Sequence, residues 1–176
     1  KTTTIKMLSC LMRPTSGEAT IMNKHLIKDA QYIKQRINVS PQETAIAPNL
    51  NVIENLKMIA GIYGFSRHDI PQKADEMVAA FNLLDVRTKK ARLLSGGMQR
   101  RLSVAMALIT EPEILFLDEP TLGLDVIARR ELWAIIRQLK GKKTIILTTH
   151  YLEEAEALSD RVAIMYKGRI KAIGTV

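Results

Sequence analysis

One cysteine in 176 residues excludes an internal disulfide and leaves no second thiol for a zinc site. Cys10 reads instead as a small core residue, set in an apolar helical stretch, of a protein kept reduced. No uninterrupted apolar run approaches the ~20 residues that a membrane-spanning helix needs, so any service to a membrane would come from outside the bilayer. No basic start followed by an apolar stretch marks a signal peptide, and no repeat or low-complexity tract is found. What is there is globular: 47% of residues are hydrophobic and 25% charged. The net charge of +8 would suit nucleic acid, an anionic membrane surface or phosphate ligands, and scattered solvated lysines equally.

Residues 2–12 place Ile5, Leu8 and Met12 at spacings of three and four, which predicts an amphipathic helix ended by Arg13-Pro14. GEATIMNKHLI reads as strand, turn and strand, and INVSPQ as a short strand that Pro41 stops. From Asn51 to Leu102 the pattern is helical, and Gly97 opens a further helix. On that helix Met98, Leu102, Ala105 and Ile109 share one face, with Gln99, Arg100 and Ser103 off it. ILFLD at 114–118 is a continuous apolar run, as a fully buried parallel strand requires, and KTIILTT reads as a second one. DVIARRELWAIIRQL and YLEEAEAL read as helices, and RVAIMYKGRIKAIG as a hairpin turned at Lys167-Gly168. The alternation predicts an α/β fold with a largely parallel sheet flanked by helices. Its division would be a core of 1–50 and 103–176 with an inserted helical block at 51–102.

Chemistry concentrates in a few short runs. ILFLDEPTLGLD delivers Asp118 and Glu119 to the carboxyl end of a strand, where open α/β sheets bind ligands. Asp118 suits Mg²⁺, which prefers hard oxygens and keeps several waters, and Glu119 faces the space beyond, placed to polarise a water. An acidic turn is the commoner meaning of such a pair, and the Pro-Thr-x-Gly-Leu-Asp continuation reverses that preference. LSGGMQRRL puts Ser95, Gly96 and Gly97 at the start of a helix, where unshielded N–H groups and the helix dipole favour an anion. His150, after KTIILTT, would share an edge with Asp118 if the two strands run parallel, and could hydrogen-bond a terminal phosphate and the attacking water. Gln42, after INVSP, could reach a metal-bound water. Taken singly, the histidine is more often a cap, the glutamine an exposed loop residue and Ser-Gly-Gly a flexible loop. Lys1-Thr2 at a helix start matches the last two positions of the phosphate-binding loop G-x-x-x-x-G-K-[ST], a weak signal until the other runs follow in order.

In that order the sequence resembles the ATP-binding cassette (ABC) ATPases, P-loop NTPases, from Lys1 to about Gly174. The resemblance assigns Lys1, Thr2 and Thr3 to the end of the Walker A loop, Gln42 to the Q-loop, and Leu94 to Gln99 to the signature motif. Ile114 to Asp118 are similar to Walker B, Glu119 to the catalytic glutamate, Leu124-Asp125 to the D-loop and His150 to the switch histidine. It implies ATP and Mg²⁺ as ligands, with Thr2, Gln42 and Asp118 toward the metal, and Lys1, Thr2, Thr3, Ser95, Gly96, Gly97, Gln99 and Asp125 toward nucleotide. Glu119, His150 and Gln42 would carry catalysis.

The resemblance further implies a head-to-tail dimer with a second ATP-binding cassette and docking to a transmembrane permease through Gln42 and residues 43–65. That would set the chain at the cytoplasmic face of a membrane, with no nucleic acid expected. GMQRRLSVAMALI, EPTLGLDVIARRELW and THYLEEAEALSDRVAIM resemble the drug, lipid and polysaccharide exporters, daunorubicin-type pumps included. The chain is expected to be part of a longer cassette, and to bind ATP poorly without the Walker A glycines. The alternative is a soluble ABC-type ATPase working on ribosomes or nucleic acid, which the positive charge would welcome. A nucleotide sensor without turnover is disfavoured by Glu119 and His150 together.

Overall fold

The computed structural model describes residues 1–176. Its centre is a three-stranded parallel sheet in the order β3-β4-β5, formed by Ile37–Ser40, Ile114–Asp118 and Thr144–Thr148. The middle strand β4 is apolar throughout until its last residue, because a parallel strand covered on both faces has no side left for water. Its side chains alternate between two cores. Leu115 and Leu117 join the larger cluster, while Phe116 joins Ile5, Leu26, Ile33 and Ile37 on the opposite face. Complete burial of Phe116 is worth about 1.5–3 kcal/mol.

The smaller face is covered by α1 (Thr2–Leu8), the β1-β2 hairpin (Thr20–Ile21 and Lys24–His25) and α2 (Ala30–Lys34). Helix α1 stops short of the expected Arg13. The N–H groups of Leu11 and Met12 both turn back to Lys6 O, and Cys10 takes a left-handed φ of 59°. That conformation closes a helix, and glycine is the residue that usually adopts it. Cys10 therefore lies beyond the helix rather than within it, half-buried with its Sγ toward Leu26 O at 3.5 Å. Burial pushes its thiol pKa up, opposed by Lys34.

Between β3 and β4 the chain builds α3 (Val52–Ile62), α4 (Asp69–Ala80), two single 3₁₀ turns and α5 (Gly96–Leu108). Asn51 caps α3 in a reciprocal box with Glu54, each side chain accepting the other's backbone N–H. Helix α5 is not amphipathic as its spacing predicts. Every residue from Arg100 to Leu108 is buried, because the helix lies among α3, α6 (Val126–Leu139) and the sheet and has no water-facing side. The helix also runs straight through residue 102, and its apolar residues share one cluster with α3, α4, α6 and β4.

Strand β5 departs from expectation in a simpler way. It is an edge strand with Thr144 and Ile146 exposed, so only Ile145 and Leu147 pack inward. Helix α7 (Leu152–Leu158) follows, and then the hairpin β6-β7 (Arg161–Tyr166 and Arg169–Thr175). Positive φ at Lys167 and Gly168 gives the tight turn that suits right-twisted strands, where the sequence placed it. No helix is long and apolar enough to cross a membrane.

Candidate active site

Parallel pairing sets Asp118 level with Thr148, so the carboxyl ends of β4 and β5 open at one edge. Asp118 is 3% exposed, and its Oδ1 accepts from Thr148 Oγ1 at 2.5 Å. The next residue turns sharply: Glu119 has φ of 50°, with its N–H donated to Thr148 O at 3.1 Å. A non-glycine residue in that region is strained, and such strain gathers where a side chain must be aimed. Here it aims the Glu119 carboxylate at His150, whose Nδ1 lies 2.6 Å from Oε2. The imidazole also stacks obliquely on Tyr151, with centroids 4.0 Å apart. Lys1 caps α1 and donates its ammonium to Thr149 O, between the partners of Asp118 and Glu119. Lys1, Asp118, Glu119 and His150 thus meet at one sheet edge, although they are scattered along the sequence.

Thr2 and Thr3 stand beside Lys1 in the first turn of α1, Thr2 half-buried and Thr3 exposed. Gln42 is exposed after β3, and its carbonyl accepts from Arg100 Nη1 at 3.2 Å. Ser95, Gly96, Gly97, Gln99 and Asp125 gather elsewhere, at the starts of α5 and α6. Ser95 caps α5 by accepting from Met98 N at 3.3 Å, and Asp125 caps α6 by accepting from Ala128 N at 2.9 Å. Gly97 lies so close to α6 that a methyl there would meet Ala128 Cβ at 2.7 Å. The Gln99 amide turns inward, donating to Ala91 O and Leu94 O at 3.3 and 3.2 Å. No side chain of this second group hydrogen-bonds to the first.

Geometry makes several further residues central. Thr148 holds Asp118, and its register opposite the aspartate was available from parallel pairing of the two apolar runs. Glu154, fully buried on α7, accepts from Thr121 Oγ1 at 2.8 Å and Trp133 Nε1 at 3.0 Å. It ties the segment after His150 to the segment after Glu119. Arg100 reaches both loops of the first group from α5.

A lysine ammonium, a buried carboxylate and a carboxylate–imidazole pair therefore stand together at the carboxyl edge of a parallel sheet. A family model described as ABC transporter matches residues 1–122. The chain is 41% identical to the phospholipid-transporting ATPase ABCA3 of Homo sapiens over 175 residues, spanning 99% of this chain and 10% of that protein. It is equally 41% identical to the daunorubicin resistance ATP-binding protein DrrA3 of Streptomyces coeruleorubidus, over 99% of this chain and 56% of the relative. Among solved structures, the dimeric post-hydrolysis state of the ATP-binding cassette MJ0796 bound to ADP and Pi superposes with a TM-score of 0.85 at 25% identity. That match covers 98% of this chain and 79% of the other. An ATP-binding subunit of an ABC transporter superposes at 0.83 with 30% identity, covering 100% of this chain and 74% of the other. The chain belongs to the ABC transporter family, as an ATP-binding domain of the P-loop NTPase fold.

Proposed function

We propose that this chain is the catalytic part of an ABC exporter's ATPase, binding Mg²⁺-ATP and coupling its hydrolysis to movement of cargo across a membrane. The observation that carries the reading is the meeting of Lys1 with Asp118, Glu119 and His150 at one edge of the sheet. The donor set suits the ligand: Asp118 offers hard carboxylate oxygen, Thr2 a hydroxyl and Gln42 an amide carbonyl toward magnesium, and Lys1 a cation toward β- and γ-phosphates. Bound magnesium would supply neutralisation of phosphate charge. The protein's own residues do the rest. Glu119, aimed by its backbone and held by His150, orients water and accepts its proton, and the other ring nitrogen of His150 is left to meet the terminal phosphate.

Ser95, Gly96, Gly97, Gln99 and Asp125 stand apart from this group, which supports a head-to-tail pairing in which they serve the nucleotide of a second cassette. The proposed division is one cassette domain, with residues 51–102 as the signature-bearing helical part and 1–50 with 103–176 as the nucleotide core. A permease docked near Gln42 and residues 43–65 would place the assembly at the cytoplasmic face of the membrane. Export is favoured over work on ribosomes or nucleic acid by the names of the relatives, one a phospholipid transporter and one a drug-resistance protein.

In the full-length protein, Glu119→Gln is expected to lower turnover by about 10²-fold or more, in keeping with loss of a general base. ATP-driven dimerisation, read by size exclusion, should persist. Turnover at the wild-type rate in this variant would remove Glu119 from catalysis.

A further inference from the structure

Arg100 is 4% exposed, and a guanidinium has five N–H groups to satisfy. All of them meet backbone carbonyls. Nε donates to Pro120 O at 2.7 Å; Nη1 donates to Pro41 O and, at 3.2 Å, to Gln42 O; Nη2 donates to Asp118 O at 2.9 Å and Glu119 O at 3.2 Å. These acceptors come from two loops only, the one leaving β3 and the one leaving β4. Between them the loops carry Gln42, Asp118 and Glu119. Arg101, the next residue, does something different: it reaches Phe81 O and Asn82 O and pairs with Glu131, all within the helical layer.

We infer that Arg100 is a positioning residue for hydrolysis, setting Gln42 and Glu119 at a fixed separation by clamping the backbone of both loops from α5. Glu119 makes the clamp necessary. Its left-handed backbone would relax if its carbonyl were free, and Arg100 Nη2 holds that carbonyl while Thr148 holds the N–H. A planar fork of five donors can span two loops at once, which an ammonium with three donors cannot. The charge is kept in the interior without an adjoining carboxylate. Burial draws its pKa below the ordinary arginine value, countered by the more distant Asp118 and Glu154. Because α5 begins at Ser95-Gly96-Gly97, the same side chain joins the loops facing one nucleotide to the helix whose start would face another. The inference rests on the proposed roles of Gln42 and Glu119.

The test compares wild type, Arg100→Lys and Arg100→Met in the full-length protein. With Arg100→Met, kcat should fall about tenfold or more while the Kd for Mg²⁺-ATP moves far less, the signature of misplacement rather than lost binding. Arg100→Lys should recover part of the loss. Amide exchange at residues 42–44, 119, 121 and 122 should quicken in both, about tenfold or more, with α3 and α4 unchanged. Wild-type kcat in Arg100→Met, or unaltered exchange in those two loops of either folded variant, would overturn the inference. Should Arg100→Met fail to fold, Arg100→Lys decides by the same measurements, with wild-type kcat and exchange counting against. Undiminished turnover in Glu119→Gln would sink the catalytic reading itself, whereas the exchange data report on the clamp regardless.

Discussion

At the scale of single residues, two adjacent glycines carry different burdens. Gly96 has open space where a side chain would project, whereas a methyl on Gly97 would press on Ala128 Cβ at 2.7 Å. Gly97→Ala must therefore part α5 from α6, at a cost of about 1–3 kcal/mol for overpacking. Thermal melts should show a clear loss for Gly97→Ala and almost none for Gly96→Ala, so that any effect of the latter on turnover reports on the ligand side. The sequence made both glycines visible as an anion-site pattern but could not separate them, because the difference lies in a helix some thirty residues away. Asp118, Glu119 and His150 were legible for a stronger reason: each sits at the end of an apolar run, and parallel strands bring such ends together. Arg100 was not legible. An arginine among polar neighbours reads as solvated, and only the burial of the whole helix reveals what its fork must bond.

At the scale of elements, the reciprocal cap at the head of α3 offers a direct measurement. Asn51→Ala would free the N–H of Glu54 and should cost about 1 kcal/mol, within the usual range for such caps, seen as a lower denaturation midpoint at unchanged slope. Strand β4, α6 and the β6-β7 hairpin were readable because local pattern and tertiary role agree. Helix α5 and strand β5 depart from their sequence patterns for opposite reasons. Periodicity reports one face of a helix, and α5 is enclosed on all of them; apolar content suggested a covered strand, and β5 is covered on one side only. The early end of α1 depended on a cysteine in a left-handed conformation, for which the side chain gives no warning.

At the scale of the molecule, stability should be graded outward from β4. Its residues lie between two apolar clusters, while every residue of β7 is exposed and its strand pairs only with β6. Amide exchange in native conditions should accordingly be slowest in β4 and fastest in β7, by several orders of magnitude. Equal protection in the two would contradict this layering. The ion pairs on the surface, such as Arg87 with Asp75 and Lys140 with Asp160, are open to dissolved ions that weaken them. The joint made by Arg100 has a different character, since its cation is met by peptide dipoles in a region that bulk electrolyte does not enter. Raising ionic strength should thus erode the outer electrostatics of this domain while leaving the spacing of the two loops untouched, a form of salt tolerance located at a single side chain.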